Sequence, residues 1–322
     1  MRSLATFLLG GLLLVSSARA QWDGAAWADY DAFLGSWTPE VVANLRSIAQ
    51  VGVTQGREPG RLGQIGDSIT ESGAYFRNVA LNGPSSNETG HDYAPIRSWL
   101  AYHGEQPADA NSFYRDHGKG NVWGNKSGWR LSDAVNFGHP DAGVLTGDGT
   151  TPGNYSWVLI MFGTNDIDGG WNAAAFETAL RAFVQGYVAL GVVPVLSTIP
   201  PEQAHVSDGR VEEANAIIQA ITAELEIVCV DYYGLILHYQ PTNWFGTLIS
   251  GDGTHPSASG GGTDFSQTAL TETDGYAARS KLTLDVAERV AVEIFEDVLV
   301  GAGAVDSDSW SRTKARYRSG QE

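Results

Sequence analysis

Residues 157–166, WVLIMFGTND, place the most hydrophobic strand candidate of the chain directly before a polar turn. A continuous apolar run of this kind suits a strand that is buried on both faces, as in a parallel sheet. Strands are also predicted at 62–65, 192–197 and 227–231, and helices are predicted at 171–190 and 211–225. This alternation predicts an α/β fold with a central parallel sheet covered by helices on both faces.

Other segments extend this pattern. Thr38-Pro39-Glu40 has the residue types of an N-cap, a first helical residue and an early acid, so we expect a helix from there to about Gln50. A helical piece is predicted over 94–103, and VWGN at 122–125 is a candidate further strand, giving a sheet of about five strands. Leu282–Val300 has an amphipathic pattern and predicts the final helix.

Length and composition fit one domain with elaborated loops. The chain has 322 residues, of which 43% are hydrophobic and 39 are glycine, and no segment of 20–50 residues repeats. We predict a domain over residues 61–305, preceded by a helical extension at 21–60 that packs on it. The last segment, 306–322, is polar and is predicted to be disordered.

The first twenty residues have the pattern of a secretory signal. Arg2 precedes an apolar stretch from Leu4 to Val15, and Ala18-Arg19-Ala20 matches a cleavage site. A membrane anchor is the competing interpretation, but about 20 apolar residues are needed to cross a bilayer. We therefore expect residues 1–20 to be removed and the protein to be exported, either secreted or periplasmic.

Charge and cysteine content exclude some classes of function. The formal net charge is −17, which repels nucleic acid and anionic membrane surfaces. Cys229 is the only cysteine, so no disulfide can form within the chain, and its apolar surroundings indicate a buried, unreactive thiol. Composition does not determine the oligomeric state.

Three short polar motifs each follow a predicted strand or lie beside Gly and Pro residues. They are GDSIT at 66–70, GTND at 163–166 and DGTHP at 252–256. In parallel α/β sheets, ligands bind at the carboxyl ends of the strands. The motifs supply a serine, an amide and an Asp/His pair. Together they indicate a hydrolase that cleaves esters.

Ser68 is the candidate nucleophile. Gly66 allows a sharp turn after the first strand, which would place Ser68 at the start of a helix, where backbone N–H groups are unpaired and attract negative charge. Ser68 would then be both nucleophile and oxyanion donor. The competing interpretation is that Asp67 or Ser68 only caps the helix.

Asp252 and His255 are the candidate acid and base. Their three-residue spacing around a tight turn can bring carboxylate and imidazole into contact, leaving the other ring nitrogen to take the serine proton. The alternative is a loop histidine beside a turn residue. The remaining six histidines lack an acid placed in this way at a late sheet edge.

Asn165 is the candidate side-chain oxyanion donor. It follows the most hydrophobic strand, after Gly163, and its amide can donate to a developing negative charge. An Asx turn is the alternative role. Asp166 is expected to order the loop rather than to react.

These residues resemble the SGNH (GDSL-type) hydrolase family, from about Leu62 to Val300. The resemblance implies a flavodoxin-like α/β/α sandwich and metal-free hydrolysis of esters through an acyl-enzyme, with no cofactor. It assigns the serine to Ser68, the asparagine to Asn165, and the Asp and His to Asp252 and His255. The family's second oxyanion donor, a glycine N–H, best matches Gly128 in NKSGWRLSDAV, with Gly124 as the alternative.

Substrate preference is indicated only by the surroundings of the motifs. Insertions at 82–127 and 258–274 are polar and rich in glycine, and neither supplies the apolar lid expected of a lipase. Four tryptophans near the motifs could stack on sugar rings or pack within the protein: Trp123, Trp129, Trp171 and Trp244.

We expect a small-molecule or glycan ester as substrate, most specifically an acetylated carbohydrate. A lipolytic enzyme, a general arylesterase or lysophospholipase, and an inactive glycan-binding protein are the alternatives. The chain contains no H-E-x-x-H motif and no clustered ligand set, so a metal site is not predicted.

Overall fold

The computed structural model of the protein describes residues 28–57, 59–103, 124–140 and 155–295. Its central sheet has four parallel strands in the order β1-β3-β4-β5: β1 Leu62–Gly66, β3 Trp157–Met161, β4 Val193–Ser197 and β5 Val228–Val230. The predicted signal at 1–20 and the tail at 306–322 lie outside the described residues.

The strands are buried on both faces, as the apolar runs predict. Every residue of β1, β3 and β4 is buried. The register aligns the carboxyl ends, because Gly66 pairs with Met161 and Ser197 pairs with Val230. The predicted α/β fold with a central parallel sheet is therefore confirmed.

An isolated β-bridge lies beside β1, where the sequence predicts a fifth strand. Gly66 N donates to Gly124 O at 2.9 Å, and Lys126 N donates to Gly66 O at 3.2 Å, which pairs Asn125 with the end of β1. Within the described residues the main sheet thus has four strands, and residues 122–123 of the predicted VWGN strand are not among them.

Eleven α-helices are assigned in the described part of the chain: α1 Ala28–Asp31, α2 Pro39–Thr54, α3 Ser68–Glu71, α4 Arg77–Asn82, α5 Ala94–His103, α6 Leu131–Asn136, α7 Thr164–Asp168, α8 Ala173–Ala189, α9 Arg210–Glu224, α10 Tyr232–Tyr239 and α11 Gly275–Arg289. A 3₁₀ turn covers Gln203–His205, and π-helical turns cover Ala269–Thr273 and Val290–Phe295. Helix α8 packs with α9, and α2 packs with the turn Val290–Phe295. All three helices also contact β4.

The N-terminal helix α2 packs on the domain. Thr38 Oγ1 accepts a hydrogen bond from Val41 N at 3.4 Å, so the predicted N-cap is present. Leu45 and Ile48 are buried, and the helix contacts β4 and the turn Val290–Phe295. It ends at Thr54, one turn beyond the predicted end. The domain limits of 21–60 and 61–305 stay predictions.

The final helix begins seven residues earlier than its amphipathic pattern predicts. Asp274 caps α11 by accepting from Ala277 N at 2.9 Å. Residues 275–287 are all buried, including Lys281 and Asp285, whose side chains form an ion pair of 2.6 Å. Charged residues that are buried as pairs resemble a solvent-facing stripe in sequence, and this explains the misplaced start.

The two insertions pair with each other. A two-residue strand from each, β2 Ser86–Asn87 and β6 Asp264–Phe265, forms a small parallel sheet. Ser85 N also donates to Thr263 O at 2.8 Å. The insertions are therefore joined by backbone hydrogen bonds.

Candidate active site

Ser68 lies at the turn between β1 and α3. A side chain at Gly66 would collide with Met161 O and the Thr70 side chain, so only glycine fits where the strand ends. Asp67 caps α3, with Oδ1 accepting from Ile69 N at 2.9 Å. Ser68 is then the first helical residue, and among the described contacts its N–H donates no hydrogen bond. That N–H is free to bind a negative charge.

His255 connects Ser68 with Asp252. Its Nε2 lies 2.8 Å from Ser68 Oγ, and its Nδ1 lies 2.8 Å from Asp252 Oδ2. The structure therefore brings the three residues together in the geometry expected from the motifs. The His255 side chain is 39% exposed, so a substrate can reach it from solvent.

Hydrogen bonds from its own loop orient Asp252. Its Oδ1 accepts from Thr254 N at 3.0 Å, from His255 N at 2.9 Å and from Ser250 Oγ at 2.8 Å. Partial burial raises the pKa of Asp252, but these bonds outweigh it and hold the pKa below its usual range. The ionised carboxylate favours a proton on His255 Nδ1, which leaves the lone pair of Nε2 facing Ser68.

Asn165 lies at the start of α7, directly after β3 and Gly163. Its Nδ2 donates to Trp129 O at 3.0 Å, which orients the amide and leaves its second hydrogen available. Asp166 accepts from Leu131 N at 3.2 Å. Burial raises the pKa of Asp166 to about 6, against the opposing effect of that bond. Asp166 thus links α7 to the first residue of α6.

The two candidate glycine donors have different surroundings. Gly128 has a φ of +78°, and nothing lies within 4 Å of where a Cβ would be. Gly124 faces the interior, because a Cβ there would lie 2.5 Å from Ile65 Cδ1. Gly128 precedes Trp129, whose carbonyl accepts from Asn165. The open space and this link favour Gly128 as the donor.

The structure adds a buried cation that the motifs do not indicate. Arg279, 3% exposed, donates from its guanidinium to Ile69 O at 2.9 Å and to Thr70 Oγ1 at 3.1 Å. Asp67 is fully buried nearby, and burial raises its pKa to about 6, although the bond from Ile69 N and the charge of Arg279 lower it. Both residues fix the helix that carries Ser68.

The tryptophans near the motifs differ in their availability. The Trp129 side chain is buried beside Phe137 and His139. Trp171 is half-buried against Phe176, and its Nε1 donates to Glu213. Trp244 is half-buried next to Phe245, which is 46% exposed. Trp123 lies outside the described residues.

Among the described residues, one cluster has the donor types of a metal site. Asp168, Glu202 and His205 each place one donor atom within 4.8 Å of the others. No spacing motif indicates it, because Asp168 ends α7, the other two members lie in the turn region after β4, and His205 belongs to none of the three motifs. Elsewhere, Cys229 is partly buried rather than fully buried as predicted. Desolvation still raises the pKa of its thiol to about 12, so the thiol stays protonated at neutral pH.

Comparisons with known proteins identify a family model and several solved structures that this chain resembles. A family model described as the GDSL-like lipase/acylhydrolase family matches residues 65–261. No curated protein matches the chain. None of the helices in the described segments has both the length and the apolar character needed to cross a membrane.

Solved structures with a similar fold include three bacterial or metagenomic proteins. A lipase/acylhydrolase from Enterococcus faecalis is 18% identical, covering 71% of this chain and 95% of its own, with a TM-score of 0.42. LAE5, an alpha/beta hydrolase from the Lake Arreo metagenome, is 18% identical over the same shares, with a TM-score of 0.43. A GDSL-like lipase from Bacteroides thetaiotaomicron is 18% identical, covering 77% of this chain and 98% of its own, with a TM-score of 0.44.

Proposed function

This chain belongs to the GDSL-like lipase/acylhydrolase family, and from that premise we propose that it is an exported serine esterase that removes acetyl groups from a carbohydrate or polysaccharide. The observation that carries the proposal is the 2.8 Å contact between Ser68 Oγ and His255 Nε2. Export rests on the signal pattern of residues 1–20.

The reaction begins with proton transfer from Ser68 to His255. As the serine oxygen attacks the ester carbonyl, Nε2 takes its proton, and Asp252 stabilises the imidazolium through Nδ1. His255 then protonates the leaving alcohol, which departs and leaves an acyl group on Ser68. Water, deprotonated by His255, attacks this ester and releases the acid and free Ser68.

Three donors are assigned to the oxyanion: the N–H of Ser68, the N–H of Gly128 and the free amide hydrogen of Asn165. The first belongs to the start of a helix, where the helix dipole also favours negative charge. The third is oriented by the bond from Asn165 Nδ2 to Trp129 O. Donors fixed before the reaction stabilise the transition state without reorganising.

A small acyl group on a large, polar alcohol fits the surroundings of the site. Half of the Asp252 side chain and 39% of the His255 side chain are exposed, so a bulky substrate can approach the dyad. Phe245 is exposed beside Gly253 of the same loop, where a ring can stack on a sugar face. Both insertions are polar in sequence, which favours a hydrated glycan over aggregated lipid.

Product release across a substrate panel tests the proposal. We expect the purified protein to release acetate from at least one acetylated glycan, tested with xylan, mannan and chitooligosaccharides. On aryl esters, the rate should fall as the acyl chain lengthens from acetate to palmitate. Faster cleavage of the long-chain esters would identify a lipolytic enzyme instead.

A serine-reactive phosphonate separates an active esterase from an inactive glycan-binding scaffold. We expect one adduct per chain on the Ser68 peptide, detected by mass spectrometry, and none in the Ser68→Ala variant. Glycan binding without an adduct and without turnover would indicate the inactive scaffold.

A further inference from the structure

A second polar cluster lies between α7 and the segment that follows β4. Asp168 is the last residue of α7, and Glu202 and His205 belong to the 3₁₀ turn region after β4. Asp168 is half-exposed, whereas Glu202 is 3% and His205 7% exposed. The reaction assigned to Ser68 and His255 uses none of these three side chains.

His205 is oriented by an acid on its far side. Its Nδ1 lies 2.9 Å from Asp208 Oδ2, and Arg210 Nε lies 3.1 Å from the same oxygen. A proton on Nδ1 therefore has a fixed acceptor, and Nε2 lies on the opposite side of the ring, 2.9 Å from Asp168 Oδ1. Histidine ligands of metals are commonly oriented in this way, by a carboxylate that accepts from the second ring nitrogen.

Glu202 supplies an independent sign that a ligand belongs here. Its Oε1 accepts from Thr254 Oγ1 at 2.8 Å, but its Oε2 is buried and has no hydrogen-bond partner among the described residues. A buried carboxylate oxygen without a partner is costly, and a cation removes that cost.

We propose that Asp168, Glu202 and His205 bind one divalent transition-metal ion, with Zn²⁺ as the best match. Donor atoms about 2.0–2.2 Å from a tetrahedral zinc ion lie roughly 3.3–3.6 Å from one another, and the three donor atoms here lie within 4.8 Å of one another, so small side-chain rotations would bring them to a shared ion. Imidazole nitrogen favours zinc over calcium, magnesium and manganese, which prefer oxygen ligands. The exposure of Asp168 leaves a path for the ion and room for water ligands.

A bound ion would lie between the end of α7 and the turn after β4, which carry the three ligands. It would also connect α7, which carries Asn165, to Glu202, which contacts the loop of His255 through Thr254. Its role is therefore structural, beyond the proposed ester hydrolysis.

Direct binding of the metal alone tests the site. The full chain, produced without a polyhistidine tag and stripped with a chelator, is titrated with ZnCl₂, MnCl₂ and CaCl₂ by isothermal calorimetry. We expect one Zn²⁺ per chain, at least tenfold weaker binding of Mn²⁺, and no binding of Ca²⁺. Zn²⁺ should also raise the melting temperature.

Variants assign the binding to these side chains. Asp168→Asn and Glu202→Gln should each weaken Zn²⁺ binding at least tenfold, and His205→Asn should abolish it. The matched control is Glu177→Gln on α8, an exposed acid that should bind Zn²⁺ like the unmodified chain. Circular dichroism confirms folding of each variant, and Asp168→Asn, at a half-exposed position, remains informative if the buried variants unfold.

Any of three results would overturn the proposal. The first is a chain that binds no Zn²⁺ at one equivalent. The second is equal binding by the unmodified chain and the Asp168→Asn variant. The third is a nitrogen NMR spectrum in which both ring nitrogens of His205 stay protonated at saturating Zn²⁺. Esterase activity does not enter these measurements, so this proposal and the proposed function can fail separately.

Discussion

Ser68 Oγ and His255 Nε2 lie 2.8 Å apart, although 187 positions separate the two residues in the chain. One belongs to a helix start after β1, and the other to a loop closed on itself by bonds such as Ser250 N to His255 O, at 2.8 Å. The contact thus joins two locally ordered segments. Because each is fixed by its own backbone bonds, the pair is preorganised for proton transfer.

Ser68→Ala should abolish turnover without unfolding the protein. The variant removes the proposed nucleophile, and we expect kcat to fall by at least about 10⁴-fold. Among the described residues, the only side-chain bond of Ser68 is the one to His255, so the melting temperature should change little. Steady-state kinetics and calorimetry measure the two effects. The control is Ser47→Ala on the exposed side of α2, which should keep full activity.

Asp252→Asn should lower kcat by about 10³- to 10⁴-fold with little change in KM. An asparagine can donate its amide to His255 Nδ1, which would place the ring proton on Nε2 and remove the base that faces Ser68. Activity on an aryl acetate measures the effect, compared with Glu177→Gln as an exposed-acid control. A rate within tenfold of the unmodified enzyme would remove Asp252 from its assigned role.

The turn that carries Ser68 and the contact between Asp252 and His255 were predictable, because the first depends on a strand end and the second on a short spacing. Glycine after an apolar run indicates a sharp turn, and three-residue spacing brings Asp252 to His255. Burial of charged residues was not predictable in the same way. Arg279 and Asp67 are buried because α11 packs beside α3, more than 200 residues away in sequence, and Arg279 lies before the segment that the amphipathic pattern assigns to the final helix.

Contacts between loops were also beyond sequence reasoning. Asp168 and His205 meet because their strands, β3 and β4, are neighbours in the sheet, yet no spacing rule links them. The pairing of β2 with β6 involves only two residues from each insertion, too short for a periodic pattern.

Asn165→Ala should lower kcat by about 10²- to 10³-fold, which is the range for loss of one oxyanion donor. The effect should appear in kcat rather than KM, since the amide acts on charge that develops in the transition state. Stopped assays at saturating acetyl ester measure it. A rise in KM with kcat unchanged would indicate that Asn165 binds the substrate and does not stabilise the oxyanion.

Gly128→Ala should impair activity more than Gly128→Asn. The φ of +78° at this position is strained for alanine by about 1 kcal/mol, whereas asparagine tolerates left-handed backbone better. Alanine should therefore displace the N–H assigned to the oxyanion. The ratio of kcat for the two variants measures this effect. Equal rates, both at the unmodified level, would exclude Gly128 as a donor.

Asp67→Asn should change how stability depends on pH. Burial raises the pKa of Asp67 from 3.8 to about 6, so the folded protein binds this proton more tightly than the unfolded chain. The resulting stabilisation is complete below about pH 4 and is lost as the pH rises through about 6. Asparagine imitates the neutral acid at every pH and can still accept from Ile69 N.

The stability of the unmodified protein relative to the Asp67→Asn variant should therefore fall between pH 4 and pH 7, by an amount on the order of 2 kcal/mol. Urea unfolding of both proteins across this range measures the difference, and contributions from other groups cancel because both chains share them. A constant difference would mean that Asp67 stays ionised in the folded protein. Its charge would then be stabilised by Arg279 and the start of α3 strongly enough to offset burial.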